Sequence, residues 1–206
     1  MKLKYFLSIA LFIIHGSISY PQSDRSNIEI IDRLIDESLV PVANRLTILG
    51  TDKLYELHSS GNDDAESYLF ESLTRQYQKF RFLLGEESDS SAYKIEISRP
   101  VIKVEYKKIY TDDLLGTKRV QRVVRVSYNL QVISKKDPSN ISSINFDRST
   151  KDSFDLDKLD LVQDRRYSFS EALLPEESDL NKILLPALIV LASAATIALF
   201  FIIRSK

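Results

Sequence analysis

The stretch Ile183–Ile203 reads ILLPALIVLASAATIALFFII. It holds no charged residue and no amide side chain, and its only polar groups are the hydroxyls of Ser193 and Thr196. At about 1.5 Å per residue, these roughly 21 residues make a helix of about 31 Å, the depth of a bilayer's hydrocarbon core. A helix satisfies its own backbone there, and an isolated open segment does not. A buried core helix is the competing reading, but such helices rarely stay uncharged over more than about 18 residues. The run predicts a C-terminal transmembrane helix over 183–203, with everything upstream held at a membrane.

The other end of the chain points the same way. Lys2 and Lys4 precede an apolar segment from Tyr5 to Ile14, and Gly16-Ser17-Ile18-Ser19 supplies small residues for cleavage before Tyr20. Residues 1–19 therefore read as a secretory signal peptide. About ten apolar residues are too few to span comfortably, which makes an uncleaved anchor the weaker reading. With a signal in front, the intervening residues are exported and 204–206 stays in the cytoplasm. Arg204 and Lys206 agree with that orientation. The expected organisation is a signal peptide at 1–19, an extracytoplasmic domain at 20–170, a linker at 171–182, the membrane helix at 183–203 and a short tail. The expected location is the cytoplasmic (inner) membrane, crossed once.

Composition narrows the chemistry. The 206 residues include no Cys and two His, and the formal net charge is −1. Without Cys there are no disulfides, thiolate metal sites, cysteine nucleophiles or lipidated cysteine. His15 lies in the signal, so a multi-histidine metal site is out of reach. His58 ends a strand-like LYELH run and reads as a surface side chain. A near-neutral chain draws no nucleic acid by its overall field. Five glycines make a backbone phosphate cradle hard to build, and no motif points to a cofactor or a small-molecule substrate.

The domain reads as α+β, with helices packed on a mixed, mostly antiparallel sheet that contains a long hairpin. Ser26 and Glu29 fit a capping box for a first helix. Its apolar positions are Ile28, Ile31, Ile35 and Leu39; Pro41 should end or kink it, and Val42, Ala43 and Leu46 extend the stripe beyond. Lys53–His58 is a short strand. A second helix, capped by Asn62 or Asp63, carries the stripe Ala65, Leu69, Leu73, Tyr77 and Phe80. Arg81–Leu84 is another short strand.

Period-two alternation then dominates. Tyr93, Ile95 and Ile97 share one face, Pro100 marks a bulge or an edge, and Ile102, Val104 and Tyr106 follow. The return strand sets Val120, Val124, Val126, Tyr128, Leu130 and Val132 inward, with Arg122 breaking the pattern as if near the sheet edge. Residues 135–149 read as a hairpin loop or an excursion, and Asp152–Arg166 as a last helix.

Two clusters bear on function. The acidic residues Asp147, Asp152, Asp155, Asp157, Asp160 and Asp164 lack the glycine and terminal Glu of a calcium loop and alternate with Lys and Arg, so a solvated face is expected. The cations Arg99, Lys103, Lys107, Lys108, Arg119, Arg122 and Arg125 gather on the hairpin. Of these Lys103, Lys107, Arg119 and Arg125 are the candidate partner-binding residues, on a wet sheet face. Pairing with Glu96 and Glu105 is the competing explanation for them.

The order helix, short strand, helix, long hairpin is similar to the curli-secretion CsgG-like and TolB amino-terminal-like group of bacterial envelope domains. Leu54-Tyr55-Glu56-Leu57, Glu66–Phe80 and Arg119–Ser134 carry the likeness, over residues 26–166. The resemblance implies helices on a mixed sheet and a non-catalytic envelope role. The lipidated Cys is absent and a C-terminal helix stands in its place, so no functional residue transfers. The expected function is a membrane-anchored, non-catalytic scaffold or accessory subunit of a bacterial envelope assembly, with the bilayer and another envelope protein as partners. The alternative is an envelope enzyme using a carboxylate pair, such as a glycan hydrolase.

Overall fold

The computed structural model describes residues 23–58, 64–85, 89–111, 116–176, 186–187, 189–197 and 200. The expected signal peptide, the cap at Asn62 or Asp63 and the 204–206 tail lie outside the described residues. The fold is α+β with a five-stranded mixed sheet. In chain order its elements are α1 (Asn27–Leu49), β1 (Leu54–His58), α2 (Asp64–Gln76), β2 (Arg81–Leu84), β3 (Tyr93–Thr111), β4 (Lys118–Ser134) and β5 (Ile141–Asp155). A short 3-10 turn (Leu156–Lys158), the single helical turn α3 (Leu159–Val162) and a second 3-10 turn (Ser168–Ser170) follow. The strand order is β2-β1-β3-β4-β5. β1 runs parallel to both β2 and β3, and β3, β4 and β5 form an antiparallel meander.

The capping box forms as its sequence predicts. Glu29 N–H donates to Ser26 Oγ at 3.2 Å, and Ser26 N–H donates to the Glu29 carboxylate at 2.6 Å. α1 then runs unbroken past Pro41 to Leu49. Pro41 is exposed, and losing its N–H removes one helical hydrogen bond; a cost of about 3 kcal/mol is usual inside a helix. Val42, Ala43 and Leu46, buried beyond it, offset that cost. Gly50 ends the helix with φ +119° and its N–H on Leu46 O at 3.0 Å. That left-handed φ is what calls for glycine; a Cβ there would sit 2.8 Å from Asp52 Oδ1, but that exposed side chain can swing aside. The second helix stops at Gln76, short of the expected stripe, and Phe80 is buried from the loop that follows.

β3 is kept in phase by two irregularities. Ile97 and Ile102 both point inward although five positions apart, an odd interval that a regular strand would split between faces. Between Ser98 and Val101 the strand carries one residue more than β4, and Arg99 there has φ +53° beside Pro100. This is the bulge that Pro100 signalled. A second extra residue at Lys107 does the same for Tyr106 and Ile109.

Three expectations need correction. Residues 141–149 are not loop: they are the first part of β5, paired with β4 from Ile133↔Ile141 to Arg119↔Asp155. Small polar residues hid a strand whose outer face is wet and whose inner face is only half covered. Asp152–Arg166 is not one helix, because 152–155 completes β5 and only Leu159–Val162 makes a helical turn. Arg122 is not at the edge. It lies on the inner face of β4, between two neighbouring strands, and its side chain is 0% exposed.

Four hydrogen bonds make that burial tolerable. Arg122 Nε and Nη2 grip the Asp152 carboxylate of β5 at 2.8 and 2.7 Å. Nη1 donates to Asn27 Oδ1 at 2.8 Å and to Arg25 O at 3.0 Å. The guanidinium also lies 5.2 Å from the centre of the Phe154 ring. Asn27 passes the linkage on, donating to Tyr106 Oη at 2.9 Å and to Ser170 O at 2.7 Å.

α1 and α2 cover one face of the sheet, and the core lies between. It joins Ile30, Ile35 and Leu39 of α1 to Leu69 and Leu73 of α2 and to the inward residues of β3 and β4. The segment after β5 crosses the same side: Tyr167 and Phe169 meet the Tyr68 ring of α2 edge to face, with centroids 4.9 and 5.2 Å away. Among the described residues no helix is long and apolar enough to cross a membrane. Within 183–203, residues 186–187, 189–197 and 200 are helical and the others lie outside the described residues.

Val126→Asp should destabilise the domain by at least about 4 kcal/mol, since it buries an unpaired charge; Arg125→Asp, one residue along and exposed, should cost about 1 kcal/mol or less. Urea melts that coincide for the two variants would refute the register. Arg122→Met should cost about 3–5 kcal/mol by leaving Asp152 buried without its cation, and Arg122→Met with Asp152→Leu should recover much of that loss. Equal midpoints for the single and double variants would show that the pair is not coupled.

Candidate functional site

The helices leave the middle of the other sheet face open. Alternate residues of an extended strand point to the same face, so Lys103, Glu105 and Lys107 of β3 stand in one row. Both lysines reach the carboxylate between them, Lys103 at 2.6 Å and Lys107 in a shorter contact. The hydrogen bonds from Lys103 and then Lys107 hold the Glu105 carboxyl down to about 2. Arg125 sits opposite Lys103 on β4. Its guanidinium makes a two-point contact with Asp147 of β5, at 2.9 and 2.7 Å. That contact lowers the Asp147 carboxyl and raises Arg125. Both side chains are more than half exposed, at 53% and 61%, so the pair adds little stability.

These residues line a shallow concavity of about 570 Å³ together with Val101, Val123 and Lys151 of β5. Lys103, Lys107, Arg125 and Lys151 set four cations against the two carboxylates Glu105 and Asp147. The surplus is positive while the chain as a whole is not. A surface of this kind offers ammonium and guanidinium donors to an acidic partner, and its carboxylates are already committed.

Three of the four candidate residues thus meet in one place, and the fourth does not. Arg119 shares their face but lies toward the far end of the hairpin, 8% exposed, with Nε 3.9 Å from Asp155. The competing explanation is also visible, because Glu105 does pair with lysines, though along β3 rather than across strands. Lys151 was missed. Its signal is the alternation Asp147, Ser149, Lys151, which goes unread once the segment is taken for a loop.

The acidic residues disperse into separate pairs: Asp147 with Arg125, Asp152 with Arg122, Asp160 with Arg165 and Asp164 with Arg166. Among the described residues no three His, Cys, Asp or Glu side chains gather as a metal site would require. Glu56, 1% exposed, accepts from Ser91 Oγ at 3.0 Å and from Lys135 Nζ, which ties the loop before β3 to the end of β4. His58 is half-buried at the end of β1, opposite Glu96. No protein-family model matches the chain, and no curated protein matches it.

Proposed function

We propose that this chain is a membrane-anchored, non-catalytic scaffold or accessory subunit of a bacterial envelope assembly. Its α+β domain stands on the outer face of the cytoplasmic membrane, held by the transmembrane helix 183–203. The observation that carries this reading is the uncharged run itself, with signal-like residues at 1–19. The exposed side chains of Ile189, Val190 and Leu191 are what hydrocarbon would cover. The element order shared with the CsgG-like and TolB amino-terminal-like group lends support to the envelope role.

The partner is another envelope protein, bound on the open sheet face around Lys103, Lys107 and Arg125. Supporting this is the local surplus of cations, which steers an acidic surface and does so best at low salt. Anchoring adds effective concentration, since a short tether confines the domain beside other membrane proteins. The enzyme alternative needs a carboxyl group held protonated near neutral pH as its acid. At the concavity Glu105 and Asp147 are both pushed the other way.

Two measurements test the two halves. The full chain should resist extraction from membranes by alkaline carbonate, while a chain truncated before Lys182 should be soluble and keep the cooperative melt and circular dichroism of a folded α+β domain. Release of the full chain by carbonate would refute the anchor. Reversing Lys107 and Arg125 together to Glu should remove at least one co-purifying protein from a detergent-solubilised pull-down, as should raising the salt on the wild type. An unchanged set of partners would refute the cationic face, and turnover of a cell-wall glycan by the purified chain would overturn the non-enzymatic assignment.

A further inference from the structure

β5 is the outermost strand on its side of the sheet. It is fifteen residues long, holds one unbroken register with β4 and contains no proline. Natural edges are usually short, bulged or blocked by proline, because an open row of N–H and C=O groups invites another strand. Among the described residues, apart from the turn bond of Ile141 N–H to Ser139 O where the strand begins, one backbone hydrogen bond reaches the outer side of this strand, from Ser23 N–H to Ser153 O at 2.9 Å. The N–H and C=O of one residue in an antiparallel strand turn to the same side. Ser153 therefore marks the odd-numbered residues as those facing the open edge. Those residues, Ser143, Asn145, Asp147, Ser149 and Lys151, also carry their side chains on the exposed sheet face.

We propose that this edge pairs with the same edge of a second copy of the chain, antiparallel, about a twofold axis through Ser149 and normal to the sheet. The charge pattern selects that centre. A twofold axis at Asp147 sets Asp on Asp, and one at Arg148 sets Arg on Arg. An axis at Thr150 sets Asp147 on Ser153 and Lys151 on Ser149, so neither charge meets its opposite. Centres nearer Ile141 bring no opposite charges together. With the axis at Ser149, Asp147 faces Lys151 of the second copy, and the same pair recurs on the other side of the axis. Directly opposed unlike charges favour a strand pair, and like charges oppose it. The ladder covers roughly seven residues, a usual strand length, and joins two sheets into one of ten strands.

The position of the tether fits the same symmetry. Residues 162–172 pack on the helix-covered side, where Gln163 Nε2 donates to Ala172 O at 2.8 Å and Ser170 O accepts from Asn27 of α1. An axis normal to the sheet keeps the helix side of both copies facing one way. Both tethers then lead to the same membrane, and both cationic concavities face away from it. This last step rests on the anchor proposed above; the edge pairing does not.

The chain is free of Cys, so a single introduced thiol reports cleanly. Ser149→Cys in the full chain, purified in detergent, should form a disulfide-linked dimer on mild oxidation. Opposed residues of a hydrogen-bonded antiparallel pair lie about 5.5 Å apart at Cα, within disulfide range. Ser143→Cys, on the same exposed edge, should not, because its two copies would lie about 40 Å apart along the ladder. Adding Asp147→Lys to Ser149→Cys should lower the linked fraction several-fold, and adding Lys151→Asp as well should restore it. Equal linkage at 143 and 149, no linkage at 149, or no restoration by the charge swap would each overturn the proposal. Because the dimer is read in detergent and the anchor by carbonate extraction, either can fail without the other.

Discussion

The contact between Arg122 and Asp152 organises the upper half of the sheet. A guanidinium and a carboxylate taken out of water lose hydration worth several kcal/mol per ion, and even a well-made pair recovers little beyond that loss. What the pair fixes is register. Arg122 stands directly opposite Asp152 across β4 and β5, and a slip of one residue would send Asp152 to the wet face and leave Arg122 buried alone. The remaining donors of Arg122 reach Arg25 O and Asn27, so the same side chain seats the first turn of α1. Asn27 then holds Tyr106 of β3 and Ser170 of the closing segment. Four separated parts of the chain are located by one buried cation.

That arrangement answers a problem set by strand length. β1 and β2 reach only the lower part of the sheet, since β1 pairs with β3 from Tyr93 to Glu96 and no further. Above Glu96 the meander stands without them. Its inner face there is closed by the first half of α1 and by the segment around Tyr167 and Phe169. Two extra residues in β3 keep Ile102, Val104, Tyr106 and Ile109 turned toward that cover. A regular strand in phase with Ile97 would turn Ile102, Val104 and Tyr106 outward.

Much of this was legible in the sequence where a local rule acts alone. The capping box at Ser26, the bulge at Pro100 and the inward series from Val120 to Val132 each follow from spacing and a single residue type. The failures fall where the deciding partner is distant. Arg122 reads as a defect until Asp152, thirty positions on, is known to lie opposite it. Residues 141–149 read as loop because Ser142, Ser143 and Asn145 are common in turns, while their pairing is dictated by β4. Leu159 and Val162 have helical spacing, yet Phe154 is fixed in a strand by the ladder, so the expected helix shrinks to one turn. The cationic face was half legible for the same reason: alternation on β3 and β4 places Lys103, Lys107 and Arg125, but Lys151 needs β5 to exist.

The two sides of the sheet consequently differ in what they leave available. One side is covered by α1, α2 and the closing segment, and several of its polar groups bond one another, as when Tyr128 donates to Ser38 Oγ at 2.6 Å and Ser38 to Ile35 O. On the other, Lys103, Lys107 and Arg125 hold exposed ion pairs that exchange with water at little cost. Such pairs keep a bare β-surface soluble, and they reopen without disturbing the core. Binding there draws on charges that folding does not require, whereas the same demand made of Arg122 would unfold the upper sheet. Among the described residues, the open face and the long outer strand β5 are thus places where charge or backbone stays available after folding.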